Sequence, residues 1–252
     1  SAKNPEPPVV AVSEPQPVSE AASAAESKPR LVVETKEKPS VASQPAATAA
    51  KAAVSFPMQQ AIQIVASSTT SFADKQATWS QLKDSGKLDQ AISELEQHAS
   101  THPTSAEYPA ALGQAFLHKA STLKDIREQG ILGMKADQTF DAALQLDPSN
   151  WDAAFWKATA MSYWPPQLNK GQEVINRFVE LVKQQETQPA RPEFAQSYVS
   201  LGEQYQKQGY ADYAKQVWQR GSSFFPDNPQ LSEKLANPPQ PTAATQSSGQ
   251  GQ

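Results

Sequence analysis

Residues 195–226 run AQSYVSLGEQYQKQGYADYAKQVWQRGSSFFP. Tyr198, Leu201, Gly202 and Tyr205 are spaced by three and four, which puts them on one face of a helix. Gly209 then breaks the chain, and Ala214, Trp218 and Gly221 mark the face of a second helix that ends near Phe225 and Pro226. Two helices with an apolar seam and small residues at their crossing pack closely and leave a surface that needs a neighbour.

The same marks recur upstream. Leu82, Gly86, Ala91, Leu95 and Pro103 form one set, and Leu112, Gly113, Phe116, Ala136, Phe140, Ala143 and Pro148 another. Trp151, Ala158 and Met161, followed by Val174, Phe178 and Leu181, form a third. The closing prolines give the period: 34 residues separate Pro192 from Pro226, 45 separate Pro103 from Pro148, and 44 separate Pro148 from Pro192. Two intervals therefore read as a 34-residue unit enlarged by ten or eleven residues.

With Ala195 as its first position, the last unit resembles a tetratricopeptide (TPR) repeat. Tyr198, Leu201, Gly202, Tyr205, Ala214, Trp218, Gly221 and Pro226 all fall on that family's signature positions. The unit ending at Pro148 keeps Leu112 and Gly113, Phe116, Ala136, Phe140 and Ala143 but needs an insertion between its helices. The other two are degenerate, with Thr78 and Trp79 or Lys157 and Ala158 where Leu and Gly are usual. The resemblance spans residues 72–226. It implies an all-α fold, an α-solenoid of about four TPR-like helix hairpins. Local signals agree: Thr104 and Glu107 have the spacing of a capping box, and Ser149 or Asn150 can cap the helix after Pro148. Pro165, Pro166 and Gly171 bracket a helix connection. Helices over 58–66 and 231–235 are expected to cover the two ends of the stack.

Composition sets the flanks. Residues 1–55 hold no aromatic residue and are rich in Pro, Ala, Ser and Glu, which predicts a disordered arm, and the uncharged tail 237–252 reads the same way. The repeat domain is thus expected over 56–236. The arm reads chiefly as a tether; its Pro5-x-x-Pro8 lacks a basic flank for a proline-recognising domain, and the apolar-basic patch at 28–33 is a further docking candidate.

Charge and chemistry work by exclusion. There are 22 basic and 26 acidic residues, a net charge of −4, and no Lys/Arg run, which argues against nucleic acid and anionic lipid as partners. No apolar run reaches the ~20 residues of a membrane span. The absence of cysteine removes disulfides, thiolate metal sites and cysteine nucleophiles, and fits a periplasmic or membrane-tethered extracytoplasmic location, with the cytoplasm as the alternative. Ser1 in place of a starting methionine fits removal of an upstream signal or anchor, and a chosen boundary equally well. His98 and His102 have metal-ligand spacing on one helix face, but Pro103 ends that helix and no third ligand is evident. Gly130 and Gly133 lack the lysine and strand of a phosphate loop. No enzyme, metal or cofactor is expected.

What the resemblance implies about binding is a groove. In TPR proteins the first helix of each pair lines a concave face. The corresponding positions here are Glu107, Gln114 and His118; then Asp152, Phe155, Trp156, Thr159 and Tyr163; then Gln196, Val199, Glu203, Gln206 and Lys207. Exposed aromatics anchor interfaces, so Phe155, Trp156 and Tyr163 carry most of that expectation, with packing between units as their other reading. The positions of the family's carboxylate clamp hold Gln76, Ser80, Ala111, Asp152 and Trp156, so that clamp is absent. The two insertions, 120–135 with Ile131 and Leu132 and 164–170 with Trp164, are lengthened connections, extra helix turns packed on the body, or partner contacts. The expected function is a protein-binding scaffold, with a structural subunit or a small-ligand-binding component as alternatives. Partner and oligomeric state are left open.

Overall fold

A computed structural model describes residues 57–237, and the arm and all but Asn237 of the tail expected to be disordered lie outside them. The described residues form ten α-helices: α1 (Met58–Ala66), α2 (Phe72–Asp84), α3 (Leu88–Thr101), α4 (Glu107–Ala120), α5 (Ile126–Leu146), α6 (Trp151–Met161), α7 (Gly171–Gln185), α8 (Ala195–Lys207), α9 (Ala211–Phe224) and α10 (Pro229–Ala236). In chain order they form four hairpins, α2–α3, α4–α5, α6–α7 and α8–α9, the first of them only loosely in contact. The first helix, α1, packs on α2, α3 and α4, while α10 packs on α8 and α9, so both ends are covered.

The residue at the helix crossing sets how tightly each pair closes. A Cβ on Gly202 would lie 2.1 Å from the indole Nε1 of Trp218, and one on Gly113 would lie 2.4 Å from the ring of Phe140. Only glycine permits these approaches, and α4–α5 and α8–α9 are the most intimate pairs. Ala158 gives a looser α6–α7 pair. At the same register position α2 carries Trp79, and α2 scarcely touches α3. Trp79 instead points across to α4, where its indole donates to Gln114 Oε1 at 3.1 Å and stacks on His118 at 5.1 Å.

The turns divide the units into regular and enlarged. Gly86 (φ +68°) and Gly209 (φ +83°) stand at matching places in the first and last hairpins, in the left-handed conformation that closes a helix. Lys87 N–H donates to Leu82 O and Tyr210 N–H to Tyr205 O, so the two turns are built alike. In the second unit the insertion is helical. Asp125 caps α5 by accepting from Arg127 N–H at 2.7 Å, and α5 reaches 21 residues against the 14 of α9. The extra seven residues add about two turns, or ~10 Å. In the third unit the insertion is a loop with a short 3-10 turn at Pro166–Leu168.

Two capping expectations divide. Asn150 does cap α6, accepting from Ala153 N–H at 2.9 Å. Thr104 caps nothing: α4 begins only at Glu107, after Ala106, and it is Ser105 Oγ that donates to the Glu107 carboxylate at 2.6 Å. His98 stacks on Tyr108 at 5.0 Å, and His102 Nδ1 lies 3.0 Å from His98 O, so both rings are engaged locally.

The buried side chains form two cores. One is built by α1 to α5 with Ala153, the other by α6 to α10 with Phe194. Trp156 packs against both. Phe72 of α2 reaches over the join, stacking on Trp156 at 6.1 Å and meeting Phe155 edge-on at 6.0 Å. Electrostatic ties cross similar boundaries. Lys75 pairs with Asp152, joining α2 to α6, and Arg220 holds Glu186 with two nitrogens at 2.6 and 2.5 Å, while Tyr198 donates to the same carboxylate at 2.8 Å. A forked contact of this kind fixes α9 to the end of α7 geometrically as well as energetically.

Candidate functional site

Packing α4 and α6 side by side, with the two additional turns of α5 alongside, leaves a cleft of about 570 Å³. Five of the residues expected in a groove meet there: Gln114, His118, Trp156, Thr159 and Tyr163. Both insertions contribute as well, the first through Ile126, Gln129, Gly130 and Gly133, the second through Trp164 and Pro165. The insertion of the second unit therefore forms a wall of the cleft.

The lining is polar in few places and carries no acidic or basic side chain apart from His118. The imidazole of His118 is pushed down to about 4, first by burial and then by the positive charge of Lys83, which leaves it uncharged at neutral pH. Gln114 is 1 % exposed. Its carbonyl oxygen is taken by Trp79, which fixes the amide's orientation, while its Nε2 has no partner. Trp156 Nε1 and Thr159 Oγ1 are likewise buried and unpartnered among the described residues. All three belong to residues that line the cleft, although the atoms themselves are enclosed by protein, and buried polar groups are nearly always satisfied. At the rim Tyr163 is 81 % exposed, and Lys207 Nζ sits 5.8 Å from its ring centre. That contact leads from the cleft to the outer end of α8.

The remaining expected groove residues are distributed elsewhere. Phe155 is a correction: it is 4 % exposed, stacked on Trp151 at 4.7 Å and edge-on to Phe178, so it belongs to the core. Val199 is also buried, with its carbonyl accepting from Trp218. Glu107 and Asp152 line a separate recess of about 300 Å³, and Asp152 is already paired with the buried Lys75. Gln196 donates to Gln230, and Glu203 pairs with Lys234 at 2.8 Å, which ties both to α10. Gln206 is exposed, as is Lys207 beside Tyr163. A family spacing rule assigns positions on one helix, whereas the depth of a side chain depends on the helix packed beside it, and the two diverge at Phe155 and Val199.

Sequence reasoning flagged the first insertion as a contact candidate through Ile131 and Leu132, whereas Ile126, Gln129, Gly130 and Gly133 line the cleft. A signal for this was present. Asp125 followed three residues later by Glu128 is a helix start, and continuing a 3.6-residue period from Ile126 puts Gly130 and Gly133 on its side of α5. Among the described residues no group of three or more His, Asp or Glu side chains is placed to hold a metal ion, and no helix is long and apolar enough to cross a membrane.

No family model and no curated protein matches this sequence. Among solved structures, the chain is similar to a thermophilic TPR protein from Thermus thermophilus, with 13 % identity over 63 % of this chain and 76 % of that one and a TM-score of 0.52. It is also similar to MamA, with 17 % identity over 66 % of this chain and 81 % of that one and a TM-score of 0.45. Identities this low speak to fold alone. Together with the hairpin order and the glycine crossings, the first of these likenesses gives the chain its fold: it is an α-solenoid of TPR-like helix hairpins.

Proposed function

We propose that this chain is a non-catalytic adaptor that holds a segment of a partner protein against the face formed by α4, α6 and α8. The observation that carries this reading is the cleft in which Gln114, His118, Trp156, Thr159 and Tyr163 converge. A largely pre-formed, mostly apolar recess with a few convergent polar groups is the usual form of a binding site. The test is a crosslinking pull-down from the native host with the intact chain and with a Trp156→Ala/Tyr163→Ala variant of unchanged helicity. Phe155 is left alone because its removal would open the core. A partner captured by the intact chain and lost by the variant supports the reading. The same partners captured by both would sink it and move the interface elsewhere.

One observation favours a second reading, a structural subunit of a larger assembly. Ile131 and Met134 expose apolar side chains one turn apart on α5. That reading expects the purified chain to self-associate through α5, which light scattering of wild type and an Ile131→Lys/Met134→Lys variant would reveal. Placement in a bacterial cell envelope belongs to the same proposal; the absence of cysteine is its support, and fractionation of the host tests it.

A further inference from the structure

The cleft is lined by rings that the fold leaves partly open. Trp156 and Trp164 are half-buried, Tyr163 is 81 % exposed, and His118 and Pro165 stand beside them. Aromatic faces gathered in one recess suit proline and β-branched side chains on an extended backbone, because a proline-rich stretch holds that shape with little entropy left to lose. Two lysines stand at the sides. Lys207, at the end of α8, lies over the ring of Tyr163, and the positive charge of Lys83, at the end of α2, reaches His118. Neither lysine makes an ion pair among the described residues.

The chain itself carries a segment of matching chemistry. Two stretches of the arm join proline to consecutive large aliphatic residues, 5–11 (PEPPVVA) and 29–33 (PRLVV). The second brings Lys28 and Arg30 with it, of the same sign as Lys83 and Lys207, and like charges set together count against a pairing. The first contains Glu6 and is followed by Glu14, with no basic residue from 5 to 14. Its route to the cleft is short enough. The arm meets the described fold at Pro57, where α1 follows directly, and α1 packs on α4, one wall of the cleft. Ala11 and Pro57 are 46 residues apart, which as a flexible coil spans about 35–40 Å, against ~21 Å for the whole length of α4.

We infer that residues 5–11 of the arm occupy this cleft when no partner does, with Pro7, Pro8, Val9 and Val10 against the rings of Trp156, Tyr163 and Trp164. This rests on the adaptor reading for the site and adds its regulation. A partner segment must displace the arm, and a tethered competitor keeps the same effective concentration at every dilution of the chain.

The chain has no cysteine, so a single one introduced into the arm carries a nitroxide label alone. The experiment places it at Asn4→Cys or, separately, at Ser27→Cys in the full chain and reads the broadening of the tryptophan indole N–H signals by NMR. The signals of Trp164 and Trp218 are assigned by their loss in Trp164→Phe and Trp218→Phe. The label at position 4 is expected to broaden Trp164 at least fivefold more than Trp218, and equally after tenfold dilution. Val9→Ser/Val10→Ser, which leaves the described fold untouched, should reduce that broadening at least threefold. Equal broadening of Trp164 and Trp218 overturns the inference, as does broadening that survives the loss of both valines. Stronger broadening of Trp164 from position 27, which lies 23 residues nearer the fold, overturns it in favour of residues 29–33. Broadening that fades on dilution overturns it in favour of the arm of a second copy. Failure of the adaptor reading looks different: the broadening persists, while the native partner is captured equally with and without Trp156 and Tyr163.

Discussion

The first and last hairpins share a turn and differ at the crossing. Both close through a left-handed glycine, Gly86 or Gly209, with the same backbone hydrogen bond behind it. In α8–α9 the crossing residue is Gly202 and the aromatic is Trp218 on the opposite helix, so the hairpin is locked to itself. In α2–α3 the crossing residue is itself the aromatic. Trp79 forfeits close packing with α3 and reaches α4 instead, where Gln114 and His118 receive it. One register position therefore decides whether a unit coheres internally or through its neighbour.

The largest effects should come from removing the two rings. Trp218→Ala and Trp79→Ala are each expected to cost about 3–5 kcal/mol in urea unfolding, since both indoles are fully buried. Hydrogen exchange would then tell them apart: the first should loosen α8 and α9 together, the second α2 and α4 together. If Trp79→Ala instead loosened α2 and α3 as a pair, the comparison would be broken.

Acid gives the next effect. Because the His118 imidazole is held down at about 4 in the fold and returns to its ordinary value near 6.5 when unfolded, the unfolded chain binds the extra proton in between. Stability should therefore fall as pH drops from 6.5 to 4, by on the order of 3 kcal/mol from this group. His118→Gln should flatten that part of the profile, and the loss at low pH should be greatest where Trp79 meets α4.

Smaller still are the glycine substitutions. Gly202→Ala and Gly113→Ala should each cost about 1–3 kcal/mol, because an aromatic ring must move. Gly130→Ala and Gly133→Ala should each gain about 0.5–1 kcal/mol, having nothing to displace. Equal signs at all four positions in the same denaturation series would remove the distinction between packing glycines and open ones.

The hairpins were legible in the sequence because their marks are local. Tyr198, Leu201, Gly202 and Tyr205 lie on one helix, and Ala214, Trp218 and Gly221 on the next, so a single period reveals them. The cap helix Met58–Ala66 was equally plain. The candidate site was read in part. Gln114, His118, Trp156, Thr159 and Tyr163 do meet in one cleft, but Phe155, one residue from Trp156, turns into the core because Trp151, Phe178 and Phe72 surround it. Which of two neighbouring aromatics is covered depends on helices far away in the chain. Extra helix turns are one reading of the first insertion, and α5 bears that out. Gly130 and Gly133, however, read in the sequence only as a phosphate loop to be dismissed; their place on the cleft side of α5 follows only once the Asp125 cap sets the start of the helix.

Trp156 touches both cores, and the cleft beside it is lined by α4 and α5 from one and α6 from the other. Stacked repeats hold together through nearest-neighbour interfaces, so the two halves of such a stack can open with separate free energies. Anything seated at this join would bind the closed pair and neither half alone, and so would couple their opening. Occupancy would then register in the most distant helices, α1 and α10, as slower and more nearly simultaneous exchange of their amides, although neither helix lines the cleft.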